Sequence, residues 1–519
     1  MAGSFRRSRL SPLVAGAVLA AIAACSTTAV PTSQDQPKSY ALRDPASTSF
    51  GRLSAQRASA HPDASGFATI TSGREAFLSI VALTRLAEKT LDLQYYIWRA
   101  DTTGRIVLSE IVEAAERGVR VRLLLDDMDL EWEDHELERL SAHPNIEVRL
   151  FNPFAGRETG LMDILFDFKR ITHRMHNKAY IADNSIAIVG GRNIGDRYFS
   201  ANEEANYRDL DLYAAGPIVR DISASFDDFW NSDWSIDVSR IGGAGEAPAS
   251  YGQVREALKR VADAHAGGVY GRDDAPNPPR QVVEEAFDRL VWTGQAALLV
   301  DRANKPETAV SALVRELRAK LGGTVQKRLL IETAYLIPGD RGVDALCRFV
   351  GNGVEVRVLT NSFASNDVVT AYSGYRKFRE PLLRCGVDLY EMRTDAGFVR
   401  KDWRWLNASS TAYLHTKAAV LDGQDVVVGS FNLDPRSVDL NTEMALLVRS
   451  GRLAEDVTAF IEDGMSPPNA YRLAMEDGDV VWIERSDGKT ARLDEEPGVS
   501  FWRSLVGKVI SFLPLEGQL

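Results

Sequence analysis

The feature that most constrains this chain is that it repeats itself at long range. Leu91 to Trp98 is a strand-like run, followed by a helical pattern from Ile106 to Arg117, a stop at Gly118 and a second strand from Val119 to Leu125. The same order returns downstream as Arg328 to Leu336, Gly342 to Val350, Gly353 and Val354 to Leu359, and Arg117-Gly-Val-Arg-Val-Arg-Leu-Leu echoes Asn352-Gly-Val-Glu-Val-Arg-Val-Leu. A β-α-β unit with a crossover of that length favours parallel strands covered by helices. The predicted fold is therefore α/β: two pseudo-twofold-related repeats, each a mixed, mostly parallel sheet flanked by helices, with a site at the repeat interface.

Composition is compatible with this. Among 519 residues, 45% are hydrophobic and 26% charged, which excludes disordered, collagen-like and polytopic membrane classes. A net charge of −11 argues against a nucleic-acid partner, which normally selects a basic face, so an anionic substrate must be held by a few placed cations.

The repeat supplies such cations. Met175-His176-Asn-Lys178-Ala-Tyr-Ile-Ala-Asp183 is followed by Gly190-Gly191-Arg-Asn193, and Leu414-His415-Thr-Lys417-Ala-Ala-Val-Leu-Asp422 by Gly429-Ser430-Phe-Asn432. His and Lys two apart on a strand share a face, giving the pairs His176/Lys178 and His415/Lys417. Asp183-Asn-Ser and Asp422-Gly-Gln read as hairpin turns, and folding about them sets Asn193 opposite His176, Gly191 opposite Lys178 and Asn432 opposite His415. Glycine there would let a phosphate approach the backbone. Asp183 lies roughly 24 Å along the strand from His176, so Asp183 and Asp422 are read as structural, capping the turns. Each imidazole needs a partner to fix its tautomer. Glu443 is embedded in the apolar run Leu440 to Val448, and aligning Tyr207 to Tyr213 with it puts Asp209 at the matching place, with Asp211 and Glu204 as alternatives.

These motifs resemble the phospholipase D superfamily, defined by paired H-x-K-x4-D motifs, each followed by a glycine-rich turn and an asparagine; the resemblance runs from about residue 67 to about 465. Gly190 to Asp196, Tyr207 to Asp211 and Gly429 to Ser437 look like bacterial cardiolipin synthases, particularly the third type, which uses phosphatidylethanolamine as donor and phosphatidylglycerol as acceptor. The resemblance implies a phosphatidyltransferase acting through a covalent phosphohistidine, with His176 as nucleophile and His415 as general acid/base, or the reverse. Lys178, Lys417, Asn193 and Asn432 would hold the phosphate, and Gly191 and Ser430 belong to the structural frame of the motif. Hydrolysis to phosphatidic acid and a periplasmic nuclease activity are the alternatives. No cofactor is called for, and no metal, because two lysines supply the charge a divalent ion would. A His173/His176 ligand pair is disfavoured by the adjacent Lys178.

The ends are read separately. Residues 1–24 carry Arg6, Arg7 and Arg9 before an apolar stretch, as in a secretory signal, and Ile22-Ala-Ala-Cys25 resembles a bacterial lipobox with Cys25 lipidated. This implies a lipid-anchored protein of the bacterial cell envelope facing the periplasm, with the outer membrane preferred because Ser26 follows Cys25. Residues 25–65 read as a flexible tether, 66–243 as the first repeat, 244–283 as a linker or excursion, 284–470 as the second repeat and 471–519 as a C-terminal hairpin and amphipathic segment. Expected partners are phospholipids and a membrane surface, with no obligate protein partner. Trp403 and Trp405 are read as a lipid-facing loop or as simple packing, and Phe501 to Pro514 as lying at a membrane surface or docking on the domain, the former preferred. Cys347 and Cys385 are read as buried free thiols with one bridge possible, Tyr95, Tyr96 and Trp98 as core or cleft wall, and Asp126 to Asp134 as a solvated acidic loop and helix start.

Overall fold

The computed structural model describes the chain except residues 1–31, 156–167, 242–249, 267–277, 306–310, 322–324, 367, 398–409, 487 and 500–519. Its first half contributes β1 (Ser65–Ile70), β2 (Thr90–Tyr95), β3 (Arg120–Asp126), β4 (Ile146–Phe151), β5 (Ala179–Ala182), β6 (Ile186–Gly190), β7 (Ala205–Arg208), β8 (Asp211–Ala215) and β9 (Ser235–Asp237). Then follow β10 (Val291–Thr293), β11 (Ala296–Val300), β12 (Arg328–Thr333), β13 (Glu355–Asn361), β14 (Asp388–Met392), β15 (Thr411–Leu414), β16 (Lys417–Leu421), β17 (Asp425–Gly429) and β18 (Met444–Arg449). A three-stranded meander, β19 (Ala470–Glu476), β20 (Asp479–Ser486) and β21 (Lys489–Leu493), closes the described chain.

The duplication is explicit in the sheet orders. The first sheet contains β1-β8-β6-β5-β2-β3-β4 and the second β11-β18-β17-β16-β12-β13-β14, strand for strand, before their edges diverge. Within these two sheets, parallel pairing among the described strands is confined to β2/β3/β4 and β12/β13/β14. The sheets are thus mixed but mostly antiparallel, not mostly parallel as expected. Those neighbouring strands are joined by helical crossovers, whereas the motif strands form hairpins. Helix Thr102–Glu116 starts on an Asp101 cap and stops at Gly118 with φ 94°; its counterpart Gly339–Gly351 stops at Gly353 with φ 85°.

The inner faces of both sheets share one core, with Phe67, Ile181 and Leu212 on one side and Leu330, Val420 and Leu446 on the other. The outer face of the first sheet is covered by helices Gly73–Leu86 and Thr102–Glu116. Helix Tyr251–Ala264, in the segment expected as a linker, adds Val254 and Leu258 to that same cluster. Strand β10 joins the first sheet and β11 the second, so the chain crosses between halves after Thr293, later than residue 284.

Residues 32–65 are not a free tether. Gln36 hydrogen-bonds Ser235 and Asp237, the Arg122 and Arg149 guanidinium groups donate to the carbonyls of Ser39 and Pro37, and Ser49–Ala58 is a helix with Phe50 buried. Buried arginines need acceptors, and this otherwise polar segment provides them. Cys347 and Cys385, expected as free thiols, are joined in a disulfide with Cα atoms 5.5 Å apart, because two successive helices bring their C-terminal turns together. Among the described residues no helix is long and apolar enough to cross a membrane. Cys25, Trp403, Trp405 and Phe501 to Pro514 lie outside the described residues.

Candidate active site

Each motif hairpin turns through three residues, Asp183-Asn184-Ser185 and Asp422-Gly423-Gln424, with left-handed backbone at the first two. The expected pairing set Asn193 opposite His176 and Gly191 opposite Lys178. The register therefore shifts by one, pairing Ala179 with Val189 and Ala418 with Val428, which carries Lys178 toward Gly190 and Lys417 toward Gly429. The motif aspartates have a second task beyond the turn. Asp183 accepts from the amides of Glu88, Lys89 and Thr90 at 2.8–2.9 Å, and Asp422 from Gln326, Lys327 and Arg328 at the same distances. Both carboxylates thus anchor the start of the neighbouring strand, far from the histidines.

At the opposite end the halves interlock. Strand β7 pairs in parallel with β15, Leu414 beside Arg208, and an equivalent bridge sets Met175 beside Thr442. The amide of His415 donates to Arg208 O and that of His176 to Thr442 O. Each histidine consequently lies next to the carboxylate of the other half. His176 Nδ1 is 2.9 Å from Glu443 Oε2, and His415 Nδ1 is 2.6 Å from Asp209 Oδ2. The strands expected to run through the acids instead break there, between β7 and β8 and just before β18, which frees both side chains to point across the interface. Of the alternatives, Asp211 is engaged by Arg192 at 2.7 Å and Glu204 is exposed.

The supporting contacts differ between halves. Ser430 Oγ donates to Glu443, whereas a Cβ at the equivalent Gly191 would stand 2.4 Å from Asp209 Oδ1. The glycine makes room for the aspartate rather than for a phosphate. Lys178 and Lys417 each donate to the carbonyl of the histidine two residues earlier, and Lys178 also lies over the Tyr96 ring. Tyr96 meets the His176 ring edge-on at 5.0 Å, and Tyr198 does the same for His415 at 5.3 Å. Asn193 is locked between Ile97 N and Tyr198 OH, while Asn432 Oδ1 is buried without a hydrogen-bond partner among the described residues. His173 presents one ring nitrogen to Leu440 O and the other to Ala303 O, both at 2.8 Å, so neither faces His176.

Burial governs the charges. It holds His176 well below the ordinary imidazole value, aided by Lys178 and Lys417, and brings His415 down to about 4, with Lys417 adding to it and Asp209 opposing. It depresses Lys178 to about 7 and lifts Glu443 to about 7, the latter against the pull of Lys178. Against the same burial, His415, Lys417 and Arg192 hold Asp209 at about 2. With Nδ1 facing a carboxylate, each imidazole carries its proton there and offers the Nε2 lone pair to the cleft.

Sequence reasoning missed the residues that steer the motif strands. Asp126 Oδ2 accepts from Met175 N at 2.7 Å, and Asn361 Oδ1 accepts from Leu414 N at 2.8 Å, each one residue before a motif histidine. Asp126 and the adjacent Asp127 are buried, not solvated, because each carboxylate accepts a backbone amide, Asp127 from Phe154. The signal was present, since the two residues end the echoed strands β3 and β13.

A duplicated α/β frame that crosses two histidine-carboxylate pairs beside two lysines and two asparagines defines a phospholipase D-type phosphodiester site. The comparisons place the chain accordingly. Residues 80–230 and 320–463 match the family described as "Cardiolipin synthase, PLD-like domain", and the chain belongs to that family, with one copy in each half. It is 37% identical over 470 residues to cardiolipin synthase C of Escherichia coli, which spans 89% of this chain and 98% of that protein. It is 31% identical over 485 residues to an uncharacterized protein of Helicobacter pylori, covering 92% and 94% of the two. Among solved structures, phosphatidylserine synthase of Haemophilus influenzae shares the fold over 90% of this chain and 100% of that one, with a TM-score of 0.53 and 14% identity.

Proposed function

We propose that this protein is a phosphatidyltransferase that makes cardiolipin, with phosphatidylglycerol as acceptor and phosphatidylethanolamine or phosphatidylglycerol as donor. The observation that carries the reading is the crossed pairing of His176 with Glu443 and His415 with Asp209, in a chain of the cardiolipin synthase-type PLD-like family. The donor phosphodiester binds near Lys178, Lys417, Asn193 and Asn432, whose N–H donors offset the charge gathering on its oxygens. The bound phosphodiester's negative charge favours protonation of His415 at Nε2. His176 Nε2 then attacks phosphorus as the bond to the headgroup oxygen breaks, and His415 gives that oxygen its Nε2 proton, releasing ethanolamine or glycerol. His415 then takes the proton from a phosphatidylglycerol hydroxyl, which attacks phosphorus and frees His176. The charge asymmetry supports these roles. Fully ionised Asp209 stabilises an imidazolium at His415, whereas Glu443, near 7, leaves His176 a neutral nucleophile.

In the same reading Cys25 carries a lipid anchor after removal of residues 1–24, and the enzyme works at the periplasmic side of the cell envelope, on the outer membrane. Labelled phosphatidylglycerol with phosphatidylethanolamine in vesicles, resolved by mass spectrometry, tests the reaction. Cardiolipin plus a free headgroup is expected. Phosphatidic acid alone would make it a hydrolase, digestion of single-stranded DNA without lipid product a nuclease, and product persisting in His176→Ala or His415→Ala would overturn the mechanism.

A further inference from the structure

The two halves differ on the outer faces of their sheets, directly behind the motif lysines. In the first half Tyr95, Tyr180 and Tyr213 are buried there under helix Gly73–Leu86, with the Tyr180 hydroxyl bonded to Thr84. The space left at Lys178 is about 10 Å³. Strand register makes Thr333, Ala419 and Leu447 the counterparts of those tyrosines. The covering helix Ala312–Leu321 buries Leu313 but leaves Val314 and Leu317 half-exposed. The result is a cavity of about 320 Å³ lined by Leu317, Leu329, Phe349, Leu421, Val427 and Phe431, with Lys417, Thr333 and Gly429 on one rung at its end. From that rung to the Leu329/Leu421 rung is four residues, about 13 Å of strand.

Apolar walls of this kind stay poorly hydrated and take apolar ligands. One lysine joins the two environments. The Lys417 stem lines the cavity while its ammonium reaches His415 O in the site, which suits a molecule with an anionic head and a hydrocarbon tail. We infer that this cavity holds one acyl chain of the lipid substrate, with the phosphodiester at the Lys417 end. The first half, filled by tyrosines, holds none. The duplicated fold thus binds its lipid asymmetrically, and chain length is sensed in the second half alone. This rests on the phosphatidyl-transfer reading of the same site.

The test restores the missing bulk. Ala419→Tyr and Val427→Phe should each lower the ratio of kcat/KM for dioleoyl over dihexanoyl phosphatidylglycerol at least tenfold. Hydrolysis of bis(p-nitrophenyl) phosphate, which has no acyl chain, should stay within twofold. A second measurement needs no turnover. A phosphatidylglycerol with a diazirine on its acyl chain, photolysed on full-length His176→Ala protein, should label Leu329, Leu421 or Phe431. An unchanged chain-length ratio in both folded variants, or labelling confined to other segments, overturns the inference. Should the parent cleave bis(p-nitrophenyl) phosphate but yield no lipid product, the transferase reading fails while the labelling still decides the cavity.

Discussion

Glu443 belongs to the second half of the chain and holds the imidazole of His176 in the first, 267 residues away and 2.9 Å distant. His415 and Asp209 return the exchange at 2.6 Å. Neither half therefore contains a complete pair, and the site exists only where the halves meet. Glu443→Gln and Asp209→Asn keep the shape but leave Nδ1–H without an anionic acceptor and allow the wrong tautomer. Each should lower kcat by about 10² to 10⁴ with KM little changed. Steady-state kinetics on vesicles check this, and a variant retaining more than a tenth of parental kcat would show that the acid does not set the tautomer.

The titration of the histidines follows from burial. In the free protein at pH 7, both rings should be neutral with the proton on Nδ1, and His415 should protonate only near 4. Inorganic phosphate placed between the lysines adds negative charge beside the ring and should raise that value. Nitrogen-15 NMR of labelled histidines reads both states, and either ring titrating at 6.5 or above without phosphate would contradict the assignment.

Lys178 sets a pH dependence of stability. Its folded value of about 7 lies below the ordinary 10.5, so between those values the unfolded chain binds the extra proton and the parent gains stability as pH rises. Lys178→Met lacks this group. The variant's advantage over the parent should be largest near pH 7 and shrink toward pH 10.5, by at most about 1.4 kcal/mol per pH unit. Urea unfolding across that window measures it, and parallel stability curves for the two proteins would exclude a depressed lysine.

The Cys347–Cys385 disulfide closes a loop with sequence separation 38 between two successive helices of the second half. Chain entropy credits such a crosslink with about 4 kcal/mol at most. Replacing both cysteines by serine should lower Tm by several degrees while kcat at 25 °C stays within twofold. Calorimetry with and without reductant gives the comparison.

Much of this was legible in the sequence because the repeat doubles every signal. His176, Lys178, His415 and Lys417 needed only spacing and alternation, and Asp209 and Glu443 followed from aligning one half on the other. What alternation cannot show is which half a carboxylate serves. The strand break at Asp209 depends on the pairing of β7 with β15 and that at Glu443 on the Met175–Thr442 bridge, contacts between residues about two hundred or more apart in sequence. The hairpin register differs by one from the expected pairing because Asp183 and Asn184 both adopt left-handed backbone and the ladder closes at Ala182 with Ile186, leaving all three turn residues unpaired. Residues 32–44 gave no periodic signal, since their order comes from capping arginines of the first half.

Asp126 and Asn361 offer a test that the protein has partly run on itself. They end equivalent strands and take the amide of the residue before each motif histidine, one as an acid and one as an amide. The geometry therefore needs a side-chain oxygen, not a charge. Asp126 accepts Met175 N and Met128 N and faces Arg174, and burial lifts it to about 6. Asp126→Asn keeps the oxygen and should retain at least a third of parental kcat. Asp126→Ala leaves the Met175 amide buried without an acceptor, at about 1–3 kcal/mol, and frees the strand carrying His176. It should lose stability and at least tenfold in kcat together. If asparagine proves as damaging as alanine, the ion pair with Arg174, not the amide contact, aligns His176.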